Sequence, residues 1–168
     1  MWTECNQREW AISTGNEAGV CRALVLVWLH TGEIPNKENA DHFRMVKEIM
    51  GDGVNLKQYA DILPMNWKNG RVDDPRQVAG ADVATKLGNA EEVLYNLGRY
   101  LIGVKGPSTG HAVGARFSST ELGFYEPNKG FGRWPLSESA VWAVTMHSHL
   151  EYLLIRYDPA EMHIWEWF

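Results

Sequence analysis

The stretch Gly19-Val-Cys21-Arg-Ala-Leu-Val-Leu-Val-Trp-Leu29 decides how this chain folds. After Arg22 every residue is apolar, so no amphipathic stripe is present and the segment reads as a helix buried on all sides. Thr31-Gly32 stops it and Pro35 bars its continuation. The helix begins at the cysteine itself. A helix N-terminus carries partial positive charge and unpaired N–H groups. Both favour thiolate over thiol, and the thiolate is the nucleophile.

Helical spacing continues outward from this centre. Residues 39–50 place Phe43, Val46, Ile49 and Met50 on one face, and Gly51-Asp-Gly53 ends that helix. Leu56 to Leu63 reads as a short helix. Asp74-Pro75 opens another, running through Val83 to Leu87, and Asn89 caps one more containing Val93, Leu94 and Leu97. Then the character changes. Arg99 to Lys105, His111 to Phe117, Gly123 to Glu126 and Phe131 to Trp134 read as strands separated by turn residues. Ser137 to His147 reads as a serine-capped helix, Tyr152 to Tyr157 as a final strand and Ile164 to Phe168 as an aromatic tail. Residues 1–20 look polar and turn-prone. Helices first and strands second define an α+β class with an antiparallel sheet.

The 168 residues suit one domain spanning the whole chain, with a core that needs no staples. Net charge −5 argues against a nucleic-acid surface. The longest apolar run, about seven residues, falls far short of the roughly 20 that span a bilayer. Two cysteines, Cys5 and Cys21, make no disulfide framework and fit a reducing compartment as free thiols. The N-terminal residues lack the pattern of a Sec-type signal, so export is expected to use a dedicated secretion machine. No metal or cofactor is expected. His147 and His149 point to different faces of a helix, and no Cys-x-x-Cys or His-Glu-x-x-His occurs.

Cys21 has a candidate base in His111, within Gly-His-Ala-Val-Gly-Ala, and a candidate orienter in Glu126. A hairpin-sized loop, Ser118 to Glu121, joins the two strands concerned. Near that register the two side chains meet across the ladder, where opposed Cβ atoms lie about 4.5–5.5 Å apart. A one-residue slip turns Glu126 to the other face, and Asn128 is the alternative orienter. Donors for an oxyanion are the Cys21 N–H and the Asn16 side chain, with Gln7 second to Asn16.

Three segments carry a family resemblance: Gly19-Val-Cys21-Arg-Ala-Leu, Gly110-His111-Ala-Val-Gly-Ala, and Phe124-Tyr-Glu-Pro-Asn-Lys-Gly-Phe-Gly-Arg-Trp134. Over roughly residues 14–32 and 108–134 the chain resembles the YopT/AvrPphB-type effector cysteine proteases, papain-like enzymes that bacteria deliver into other cells. The resemblance implies a papain-like fold with a cysteine-bearing helix packed on a C-terminal antiparallel sheet. It implies Cys21 as nucleophile and His111 as general base and acid. Glu126 stands at the family's aspartate position, one methylene longer, and Asn16 where the family places an oxyanion-hole side chain. The expected partner is a target protein in a host or competitor cell, with a neutralising immunity protein or a chaperone in the producer. The same constellation also serves deamidases and transglutaminase-like acyl transferases. A binding domain with a buried thiol is the non-catalytic alternative.

Overall fold

A computed structural model describes residues 1–15, 19–51 and 76–167. The order of elements is β1 (Trp2–Glu4), α1 (Arg8–Thr14), α2 (Cys21–Thr31), α3 (Ala40–Gly51), β2 (Arg76–Gln77), α4 (Val83–Leu94), β3 (Gly98–Lys105), β4 (Gly110–Phe117), β5 (Glu121–Glu126), β6 (Gly130–Pro135), a 3₁₀ turn (Leu136–Glu138), α5 (Ser139–Arg156) and β7 (Glu161–Trp167). All strand pairs are antiparallel, in the order β1-β6-β5-β4-β3-β7-β2. The α+β, papain-like class read from the sequence is the observed one.

Alternation along the strands splits the core into two layers. Tyr100, Ile102 and Val104 of β3 and Met162 and Ile164 of β7 pack against α4 and α5. Leu101 and Ala112 pack instead against α2, with Met45, Val46 and Ile49 of α3 behind it. Helix α2 is therefore sandwiched between the sheet and α3, and Ala23 through Leu29 are all buried. It lies close to the sheet because β4 and β5 carry glycine beneath Trp28. A Cβ at Gly114 would fall 2.7 Å from the indole, and one at Gly123 would fall 3.0 Å away. Gly32, at φ 73°, closes α2 as its sequence position predicts.

Several expectations give way. The helix expected from Asp74-Pro75 is a strand at Arg76–Gln77, paired with β7, and the helix starts only after Asp82, whose carboxylate caps Thr85 N at 2.7 Å. Asn89 caps nothing; it lies inside α4 and donates to the Ala79 carbonyl. The Tyr152–Tyr157 strand is the last part of α5. The buried set Trp142, Met146, Leu150, Leu153 and Leu154 has helical period, which outweighs the local β-propensity. The serine cap fails too, since α5 follows a 3₁₀ turn with Glu138 at its N-cap position and no side-chain cap. The aromatic tail is β7, an interior strand between β3 and β2. Residues 1–15 hold β1 and α1 rather than loose turns. The expected helix at 56–63 and the Asp74-Pro75 turn lie outside the described residues. No helix among the described residues is long and apolar enough to cross a membrane.

Candidate active site

Four polar or charged side chains are buried among the described residues: Gln7, His42, His111 and Glu126. Burial of such groups is costly unless they are satisfied. Three of them converge on the N-terminal end of α2.

Cys21 is the first residue of α2, and the first helical hydrogen bond runs from Leu24 N to the Val20 carbonyl. The N–H groups of the first turn thus have no partner within the helix. His111 is the second residue of β4, across from Val104. Glu126 ends β5 at the tight turn into β6. The β4–β5 ladder ends with Gly114 paired to Tyr125, so His111 and Glu126 lie past its end, where His111 Nε2 meets Glu126 Oε1 at 2.6 Å. That contact leaves the other ring nitrogen, Nδ1, for the thiol, and Cys21 and His111 line one cleft.

The electrostatics follow from burial and this geometry. Burial pushes the Cys21 thiol up. The hydrogen bond and charge of His111, with the N–H groups of Ala112 and Arg22, outweigh burial and hold it below its usual value. Burial pulls His111 down, but Cys21 and Glu126 together raise it to about 9. Glu126 is pushed up by burial and held lower overall by His111, the Asn128 N–H and His149. All three shifts run in the direction that favours a thiolate, an imidazolium and a carboxylate side by side. Cys5 is the contrast: burial and the Glu126 charge push its thiol up to about 11.

Asn128 stands elsewhere than the orienter position considered for it. Its backbone N–H donates to Glu126 Oε1 at 2.8 Å, and its side-chain oxygen accepts from Gln7 Nε2 at 2.5 Å. Gln7 Oε1 accepts from Val20 N at 2.7 Å. Gln7 thus bridges Val20, the residue before Cys21, to the turn that carries Glu126. Asn16 lies outside the described residues. His147 hydrogen-bonds Glu91 on α4, while His149 stacks on Trp2 with centroids 5.0 Å apart. Among the described residues no cluster of His, Cys, Asp or Glu is suited to a metal ion.

Beside Cys21 and His111 opens a cleft of about 610 Å³. Its walls are Met50 of α3, the β3–β4 hairpin from Lys105 to Gly110, and His163 and Trp165 of β7. None of these wall residues was expected at the site from the sequence. The only signal was Gly106-Pro-Ser-Thr, a turn between strands. Arg22 lies over the Trp165 ring, 5.8 Å from its centroid, so the residue after Cys21 is anchored to the cleft wall.

No protein-family profile matches the chain, and no curated protein sequence matches it. In fold it is similar to the crystal structure of the Pseudomonas avirulence protein AvrPphB, with a TM-score of 0.61 and 16% identity, over 91% of this chain and 93% of that one. At that identity the likeness speaks for the fold, a helix-and-antiparallel-sheet architecture of papain-like type carrying Cys21 at the head of its buried helix.

Proposed function

We propose that this protein is a cysteine peptidase that hydrolyses a peptide bond in a target protein. The observation that carries the reading is the buried line from Cys21 through His111 to Glu126, closed by the 2.6 Å contact. The Cys21 thiolate attacks the substrate carbonyl carbon, and the carbonyl π electrons move onto oxygen. The N–H of Cys21 and the Asn16 side chain are the donors proposed for that oxyanion. Collapse of the tetrahedral intermediate breaks the C–N bond, and the His111 imidazolium gives its proton to the departing amine. Water then attacks the thioester while His111 takes a proton from it. The acid product leaves and the thiolate–imidazolium pair is restored. Glu126 stays ionised and holds the imidazole.

The motif resemblance and the fold shared with an avirulence protein support an effector role, with the target in another cell and export by a non-Sec route such as type III or type VI secretion. A neutralising partner in the producer accompanies this reading where the target is a rival bacterium. Labelling of protein N-termini in cells expressing wild type or Cys21→Ala tests it. The expected result is a small set of new termini that the variant lacks. Amide-to-acid mass changes without new termini would replace the peptidase with a deamidase on the same scaffold. Identical profiles would leave the non-catalytic reading.

A further inference from the structure

We propose that Gln7 and Asn128 are positioning residues that lock the start of the nucleophile helix to the turn carrying the acid. This rests on the reading of Cys21 as nucleophile. Cys21 and Glu126 sit on separate elements, 105 residues apart by their numbers (126 − 21), and nothing local fixes their spacing. Gln7 supplies that fixation from a third element, the residue before α1.

Polarity settles the orientation of the link. The Val20 backbone N–H can only donate, so the Gln7 atom facing it is oxygen, and the Gln7 amide nitrogen then faces Asn128. That nitrogen can only donate, so the Asn128 atom it meets is oxygen. The path runs from Val20 N–H to Gln7, Gln7 to Asn128, Asn128 N–H to Glu126 and Glu126 to His111, which lines the same cleft as Cys21, the residue after Val20. Gly19 completes the seat. Its φ is +99°, and a Cβ there would lie 3.0 Å from Gln7 Oε1, so glycine admits the amide close to the chain. Gln7 itself is buried, which makes a broken link costly.

A positioning role and an oxyanion-donor role separate experimentally. Alkylation of Cys21 by iodoacetamide forms an S–C bond and expels iodide, so it depends on the thiolate and needs no oxyanion donor. The test is the pH profile of Cys21 alkylation in full-length wild type, Gln7→Met, Asn128→Ala and the double variant, each alongside peptide turnover. Loosening the link should raise the thiol pKa by about one unit, a roughly ten-fold slower alkylation near neutral pH. The double variant should be no slower than the worse single one, because both break one path. Asn128 is exposed on its turn, so Asn128→Ala keeps the test valid if Gln7→Met does not fold. Unchanged alkylation with reduced turnover would overturn the proposal in favour of an oxyanion donor. Additive losses, or wild-type profiles throughout, would also overturn it. Failure of wild-type Cys21 to alkylate faster than Cys5 would remove the nucleophile reading itself, and the proposal with it.

Discussion

His111 of β4 and Glu126 of β5 meet with Nε2 and Oε1 2.6 Å apart, both side chains buried. A carboxylate in that position can only be tolerated while it is paired. Glu126→Gln keeps the size and removes the charge. It should cut turnover by on the order of 10²-fold or more, as expected for a mispositioned general base. Glu126→Ala should cost at least as much, and both should cost more than Asn128→Ala. Steady-state kinetics on a cleaved substrate checks the ranking.

Cys21→Ala and His111→Ala should each bring turnover to background, since residues acting as one unit lose function together. Cys21→Ala should keep the thermal midpoint of wild type, because it removes a buried charge along with its partner's task. Scanning calorimetry beside the activity assay separates loss of chemistry from loss of fold.

The pH dependence has a definite sign. The thiol is held below its ordinary 9.0 and His111 is raised to about 9, so the ion pair exists between those two titrations. As pH falls through the depressed thiol value, Cys21 takes a proton and the rate drops. As pH rises through about 9, His111 loses the proton that the leaving amine needs, and the rate drops again. In His111→Ala the burial of Cys21 remains while its counter-ion is gone. The acid limb of alkylation should then move to higher pH, which a pH–rate series with iodoacetamide measures.

Gly114→Ala tests the seat of α2. Its Cβ would come 2.7 Å from Trp28 and 2.8 Å from Val25. Overpacking of this kind costs about 1–3 kcal/mol. Urea unfolding should show a lowered midpoint with an unchanged slope.

The parts of this fold legible from sequence are those whose pattern is local. Helix α2 follows from an unbroken apolar run and a glycine stop. Strands β3 to β6 follow from alternation between turn residues, and the β4–β5 hairpin brings His111 and Glu126 into contact. What stayed hidden depends on distant partners. The end of α5 reads as strand because Tyr152-Leu-Leu-Ile-Arg-Tyr157 is rich in β-formers, and only the register of Leu150, Leu153 and Leu154 against the sheet makes it helix. Strand β7 reads as a tail because its two neighbours, β3 and β2, precede it by many residues. The bridge from Gln7 to Asn128 spans 121 positions and has no sequence signature at all.

If Cys21 is an activated thiolate, the protein carries its own control in Cys5, whose thiol is pushed up to about 11. Limited alkylation with iodoacetamide near neutral pH, read by peptide mass mapping, compares the two sites in one molecule. The expected result is a single adduct on Cys21, lost or strongly slowed in His111→Ala, with Cys5 unmodified. Labelling of Cys5 as fast as Cys21, or no adduct on Cys21, would contradict it.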